Sequence, residues 1–181
     1  GQLIEQLEAL FPADLAERKN LTYVEPFVGG GAMVFHMLEK YKNITRVVIN
    51  DFNRDLVTTY VQIKECPDAL ISELQKMQDA FRRCKDEDAK QRNYLSQREK
   101  YNARDSSPVE VAALFIFLNR TCFNGLYRVN SKGGYNVPFG KVANPLICDE
   151  DTIRIDSQLL QKVEILNGDF EGVYSHIKGK R

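Results

Sequence analysis

The sequence predicts an α/β protein in which a parallel sheet is covered by helices and broken by a helical insertion. Three observations predict it. Strand-like and helix-like stretches alternate β-α-β-α from Leu21 to Lys64. A run of three glycines, Gly29 to Gly31, joins the first strand to the first covering helix. Between Pro67 and about Asn119 the pattern changes to long, charged helical stretches without a convincing strand. A chain of 181 residues with 43% hydrophobic and 28% charged side chains can build one main core, which excludes disordered, collagen-like and low-complexity classes.

Along the chain, Leu3, Ile4, Leu7, Leu10 and Phe11 recur at helical spacing and predict an amphipathic opening helix stopped by Pro12. Leu21 to Phe27 reads as a buried strand, Ala32 to Tyr41 as a helix, Thr45 to Ile49 as a second strand closed by Asn50-Asp51, and Arg54 to Lys64 as a helix. The insertion carries helices over Asp68 to Arg83, Asp86 to Ala103 and Pro108 to Asn119. Ser107-Pro108-Val109-Glu110 has the pattern of a helix start in which Glu110 reaches back to the cap. Asn124 to Gly140, rich in Asn and Gly with alternating apolar residues, predicts a β-hairpin turning at Ser131-Lys132-Gly133-Gly134. Val163 to Leu166 is a last buried strand before Asn167-Gly168-Asp169. Residues 1–66 and 145–181 thus form an α/β domain, and residues 67–144 an inserted helical unit with a hairpin.

Lys plus Arg (25) equals Asp plus Glu (25), so attraction to a polyanion has to come from local placement of charge. Cys66, Cys84, Cys122 and Cys148 are widely separated, with no C-x-x-C pair and no neighbouring histidine pair, which argues against a metal site and for a reducing compartment. The longest apolar run, Val111 to Leu118, is far short of the roughly 20 residues that cross a bilayer. The expectation is a cytoplasmic protein with no membrane partner.

Two groups of residues carry chemistry. In an open parallel sheet, ligands sit beyond the carboxyl ends of the strands. Three strand ends here offer Glu25, Phe27, Gly29, Gly30, Gly31 and Ala32; Asn50 and Asp51, followed by Phe52; and Gly168, Asp169 and Phe170. Asp51 follows Gly29 at the interval at which an acidic residue after the second strand accepts from ribose hydroxyls. Val34 holds the place of the last glycine of G-x-G-x-x-G, which weakens the case for a pyrophosphate, and Glu25 suits a cationic or amine-bearing ligand. Together these point to S-adenosylmethionine; the other reading is a tight strand-to-helix turn with no ligand.

The second group lies in the hairpin. From Val111 to Cys148 there is no acidic side chain, while Arg120, Arg128, Lys132 and Lys141 all fall there. Strand alternation puts Leu126, Arg128 and Asn130 on one side, and Tyr127 and Val129 on the other. A two-stranded ribbon fits the DNA major groove, where arginine bonds a guanine edge and an apolar group touches a thymine methyl. Phe123 and Asn124 supply one group able to wedge between bases and one able to pair with an exposed base edge. The alternative is a plain surface hairpin with solvated lysines.

Pro26-Phe27-Val28-Gly29-Gly30-Gly31-Ala32, Ile49-Asn50-Asp51-Phe52-Asn53 and the stretch from Leu118-Asn119-Arg120 through Phe123-Asn124-Gly125-Leu126-Tyr127-Arg128-Val129-Asn130 to Asn136-Val137-Pro138-Phe139-Gly140 together resemble the Dam-type, D12-class DNA adenine-N6 methyltransferases. The resemblance implies a Rossmann-like, S-adenosylmethionine-dependent methyltransferase sheet with a DNA-recognition insertion, and double-stranded DNA as partner. It implies that the Phe27 to Ala32 loop and Asp51 hold the cofactor, with Asp51 on the ribose and Asp169-Phe170 flanking the adenine. Arg120, Phe123, Asn124, Leu126, Arg128 and Pro138 would line the DNA, with Lys132 and Lys141 adding positive charge. It further implies methylation of a flipped adenine in GATC, a bacterial or phage setting, and a cognate restriction endonuclease.

The family's Asp-Pro-Pro-Tyr and Trp-Ala-Gly-Gly-Lys motifs do not occur in these 181 residues. The expectation is therefore a fragment of a methyltransferase that is inactive alone, with no catalytic residue of its own. The rival is a non-catalytic DNA-binding pseudo-methyltransferase. An NAD-linked enzyme would need a phosphate cradle and an acid/base pair, and the only histidines, His36 and His176, fall in predicted helices.

Overall fold

A three-stranded parallel sheet is the frame on which the first group of candidate residues is mounted. The computed structural model describes residues 2–177. In chain order its elements are α1 (Gln2–Glu8), β1 (Leu21–Glu25), α2 (Ala32–Lys40), β2 (Ile44–Asp51), α3 (Arg54–Glu65), α4 (Pro67–Arg82), α5 (Glu87–Ala103) and α6 (Pro108–Thr121). These are followed by α7 (Glu150–Leu160), β3 (Val163–Asn167) and α8 (Val173–Ile177). The described residues divide into two compact units, one made of the residues up to Val57 with those from Asp156 onward, the other of Thr58–Ile155.

In the first unit the strand order is β1-β2-β3, and both pairings are parallel. Val47, Val48 and Ile49 of the central strand are all fully buried. That continuous run is what a parallel strand covered on both faces requires. β1 stops at Glu25, two residues before the expected Phe27, because Pro26 has no N–H to give to the ladder. β2 runs on to Asp51, past the expected Ile49, because Asn50 and Asp51 pair in register with Leu166 and Asn167 of β3. The opening helix ends at Glu8 rather than Phe11, since Pro12 disfavours helical backbone at the residue before it. Glu8 is then fixed by Lys40 Nζ at 2.6 Å and the Tyr41 hydroxyl at 3.2 Å.

In the second unit α4, α5 and α6 enclose Leu70, Leu74, Phe81, Tyr94, Leu114, Phe117 and Leu118, all but excluded from solvent. The capping box expected at α6 is present. The Ser107 side chain accepts from the Glu110 N–H, the Glu110 carboxylate accepts from the Ser107 N–H, and Pro108 sits in the first turn. The hydrogen bond from Lys100 is the main reason that the Glu110 carboxyl is held down at about 2.

The expected β-hairpin is formed as a turn but not as two regular strands. Asn130 N–H donates to Gly134 O and Gly133 N–H to Asn130 O, each at 2.9 Å, which closes the three-residue loop Ser131-Lys132-Gly133. Pairing beyond the loop is limited to the isolated bridges Val129↔Tyr135 and Cys122↔Phe139. α5 lies along the other edge of the return limb, where its side chains bond backbone groups that point away from the hairpin partner. Lys90 donates to Ala143 O at 2.6 Å, Tyr94 to Val137 O at 2.7 Å, and Arg98 to the same carbonyl at 3.1 Å. Asn102 both donates to Tyr135 O and accepts from Tyr135 N–H. These four side chains recur at one-turn intervals and share one helix face. They explain a helix whose sequence shows only mixed charge and weak amphipathicity.

The hairpin closes against the end of α6 through a very tight approach. A Cβ on Gly140 would lie 2.2 Å from Cys122 O, and Gly140 N–H donates to Thr121 O at 2.9 Å. Backbone cannot be pushed aside as a flexible side chain can, so Gly140→Ala should destabilise the protein by about 1–3 kcal/mol or more. The check is the urea midpoint of the variant, which would stay at the wild-type value if this approach were slack.

Candidate functional site

The carboxyl ends of the three strands are tied together by two adjacent side chains of β2. Asn50, almost completely buried, donates through Nδ2 to Pro26 O at 3.0 Å and to Gly168 O at 3.1 Å, spanning the ends of β1 and β3. Its own carbonyl accepts from Val28 N–H at 2.9 Å. Asp51 accepts from Gly29 N–H through Oδ2 at 3.0 Å and from Asn53 N–H through Oδ1 at 2.9 Å. Asn167 Nδ2 donates to Asp51 O at 2.8 Å, and Gly168 N–H donates to the same carbonyl at 3.2 Å. Asp51 and Asp169 therefore lie at one edge of the sheet. Asp169 also caps the short 3₁₀ turn after β3, accepting from Glu171 N–H at 2.9 Å.

The glycine loop between β1 and α2 has room above it. Gly31, at φ 77°, starts α2 in the left-handed region and has no side chain with which to cap it. From β1 the Glu25 carboxylate accepts from the Tyr23 hydroxyl at 2.9 Å, and the nearby Val34 backbone N–H in the first turn pulls its pKa down. Burial raises the Glu25 carboxyl above the ordinary glutamate range against the pull of both donors. Gly30 differs from its neighbours, since it has no positive φ and a Cβ there would meet nothing within 4 Å. Neither strain nor packing within the chain explains a glycine at that place. A glycine there leaves the backbone open to close approach from outside the chain.

Three aromatic side chains stand around the same edge with much of their surface in solvent. Phe27 is 69% exposed, Phe52 81% and Phe170 41%, and the rings of Phe27 and Phe170 lie 5.4 Å apart. Large exposed rings beside an open glycine loop and two carboxylates form a lining that fits a nucleoside with a cationic tail, such as S-adenosylmethionine. Sequence reasoning had singled out Glu25, Phe27, Gly29 to Gly31, Ala32, Asp51, Phe52, Asp169 and Phe170, and the sheet brings them to one edge. Asn50 stands in the sequence as the end of the second strand, but its bridging of the two outer strand ends emerges only in the structure. The available signal was a polar residue closing a strand that is buried on both faces.

In the second unit, every residue from Phe123 to Gly133 is exposed. Phe123 is 50% and Leu126 51% exposed, Asn124 adopts left-handed backbone at φ 53°, and Pro138 lies open on the return limb. Tyr127 turns the other way and stacks near Phe115 at 5.6 Å and Tyr135 at 5.8 Å, so the expected alternation holds locally. Arg120 is exposed in the last turn of α6, and Lys132 is exposed at the loop tip. Lys141 is less free than the acid-free stretch around it suggests. It forms an ion pair with Glu87 of α5 at 2.7 Å, which raises its pKa. Beneath the hairpin, burial pushes the Tyr94 hydroxyl up to about 12 and moves Tyr135 in the same direction.

The parallel sheet, with helices and an open glycine loop at its carboxyl end, defines a mixed α/β protein. Over residues 1–181 the sequence matches the profile of the D12 class of N6 adenine-specific DNA methyltransferases, and the chain belongs to that family. It is 44% identical over 178 residues to the type II methyltransferase M.MjaIII of Methanocaldococcus jannaschii, covering 97% of this chain and 61% of that protein. It is 31% identical over 174 residues to a DNA adenine methylase of Haemophilus influenzae, covering 96% of this chain and 54% of the relative. It is 39% identical over 131 residues to the DNA N-6-adenine-methyltransferase of Escherichia phage P1, or 72% of this chain and 16% of that protein. The chain thus spans little more than half the length of the first two relatives. Among its described residues no helix is long and apolar enough to cross a membrane.

Glu25 yields a pH prediction with a definite sign. Its carboxyl is raised on folding, so the native state binds more protons than the unfolded one, and the stability it contributes falls as pH rises through the window above 4.5. Glu25→Gln keeps an acceptor for Tyr23 but does not titrate. Urea midpoints measured from pH 4 to 7 should move in favour of the variant relative to wild type as pH rises. A pH-independent difference would contradict the assignment.

Proposed function

We propose that these residues form the cofactor-binding and target-reading part of a DNA adenine-N6 methyltransferase that uses S-adenosylmethionine and recognises GATC. The observation that carries this reading is the convergence of Asp51, Asp169 and the bare backbone at Gly30 on one edge of the sheet. A purely scaffolding sheet has no use for an unexplained glycine beside an acidic strand end.

S-adenosylmethionine supplies an electrophilic methyl group on a sulfonium. The residues here bind and orient it. Asp51 has lone pairs left on oxygens already aligned by Gly29 and Asn53, which suits the ribose hydroxyls. Glu25 offers a carboxylate to the amine end. Phe27, Phe52 and Phe170 offer apolar faces to the adenine ring. Loss of Asp51 as a partner to the ribose is equivalent to losing a charge-assisted hydrogen bond, so Asp51→Ala should weaken cofactor binding roughly ten- to hundredfold. Calorimetric titration of the variant, with its thermal midpoint as a folding control, tests this; unchanged affinity would remove Asp51 from the site.

In the second unit Arg120, Phe123, Asn124, Leu126, Arg128, Lys132, Pro138 and Lys141 contact DNA, with the target adenine extruded from the stack at a cost of a few kcal/mol. None of the 181 residues is assigned a catalytic role, and no Asp-Pro-Pro-Tyr occurs among them. A cognate restriction endonuclease is the implied partner, a reading supported by the type II names of relatives, and the bacterial or phage-infected cytoplasm is the implied setting. If three or four basic residues meet phosphates, raising salt from about 50 to 200 mM should weaken DNA binding by roughly two orders of magnitude. Arg128→Ala should cost about 1–3 kcal/mol of preference at one base pair, whereas Lys141→Ala should weaken all sequences alike. Fluorescence anisotropy on duplexes altered one base pair at a time separates the two, and equal losses from both variants would deny Arg128 a base-reading role.

A further inference from the structure

Arg128 and Asn136 sit opposite one another across the hairpin, flanking the Val129↔Tyr135 bridge, with the Asn136 N–H donating to Arg128 O at 3.2 Å. Their side chains share the outward face with Leu126, Asn130 and Pro138. Arg128 Nε donates to Asn136 Oδ1 at 2.7 Å, and Arg128 Nη2 donates to Asn136 O at 3.1 Å. One residue therefore occupies the whole lateral fork of the guanidinium, the edge formed by Nε and Nη2. The terminal fork, formed by Nη1 and the second hydrogen of Nη2, is left for a ligand.

We propose that Asn136 is a positioning residue for base recognition. It grips Arg128 by its lateral edge and presents the terminal edge, already oriented, to two acceptors such as O6 and N7 of a guanine. The inference rests on the reading that this hairpin meets DNA, and it adds what that reading lacks: the reason an exposed arginine can discriminate. A free arginine samples many rotamers and must give up that freedom to make the two bonds that a cognate guanine offers, whereas at an altered base pair it keeps it, so the ordering cost falls on the cognate site. Held from behind, its planar fork meets two acceptors at one spacing and rejects an edge that offers a donor and an acceptor. Lysine could not be held this way, having no second edge.

The test uses the whole protein with a GATC duplex and four duplexes in which one base pair each is replaced. Asn136→Ala removes Oδ1 but keeps the backbone acceptor. It should reduce discrimination about three- to tenfold at the same base pair where Arg128→Ala reduces it, leave binding to the duplex altered at that pair within twofold, and leave the salt dependence unchanged. In an Arg128→Ala background it should have no further effect. Asn136→Asp, which retains the acceptor, should retain the discrimination even though its charge weakens binding to every duplex. In the free protein, the Arg128 Nε–H resonance should exchange more slowly in wild type than in Asn136→Ala, a signal that a general folding defect, monitored by thermal midpoint, would not single out. Should Asn136→Ala weaken all duplexes equally, or add its loss to that of Arg128→Ala, the positioning role is wrong. Should Arg128→Ala itself lose discrimination at no base pair, the hairpin does not read DNA and the broader proposal fails first.

Discussion

Parallel strands leave their last amides and carbonyls pointing out of the sheet, and in this protein the satisfaction of those groups organises the first unit. Asn50 and Asp51 supply it from the central strand. One bridges the carbonyls of the two outer strand ends, while the other accepts the amides of the glycine loop and of the turn into α3. A buried asparagine without partners would cost a few kcal/mol, so this one specifies where β1 and β3 must end. The loop that follows β1 is thereby aimed before any ligand arrives. Preorganisation of this kind lowers the ordering cost that binding would otherwise carry.

The second unit solves a similar problem with different means. The return limb of the hairpin lacks a regular strand partner, yet its backbone groups are paired because α5 presents Lys90, Tyr94, Arg98 and Asn102 as a row of donors and acceptors. Tyr94 combines two tasks, filling the core with its ring and bonding Val137 O with its hydroxyl. The helix is thus apolar at few positions and still indispensable to packing.

What could be read from the sequence was what local chemistry determines. The capping box at Ser107 and Glu110 and the turn around Ser131-Lys132-Gly133 each declare themselves within a few residues. Membership in the family was likewise legible, because the glycine loop and the long hairpin motif are contiguous strings. The parts that escaped are those that join distant segments. Nothing near Lys141 announces that Glu87 will neutralise it, and the mixed charges of α5 look like solvated surface until the hairpin is laid against them. The bridging role of Asn50 escaped for a related reason, since its two acceptors belong to Pro26 and Gly168.

The α5 row grips main-chain atoms of the return limb, apart from the packing of Tyr135 and Val137, and makes no demand on the identity of the side chains that point outward. The side chains of Leu126 and Pro138 take no part in the helix-to-backbone bonds beneath them, whereas Asn130 Oδ1 accepts from Lys132 and Gly134 N–H and holds the loop. Such an arrangement separates the inheritance of shape from the inheritance of selectivity: descendants of one ancestor can diverge in what their ribbon prefers while its mounting stays the same.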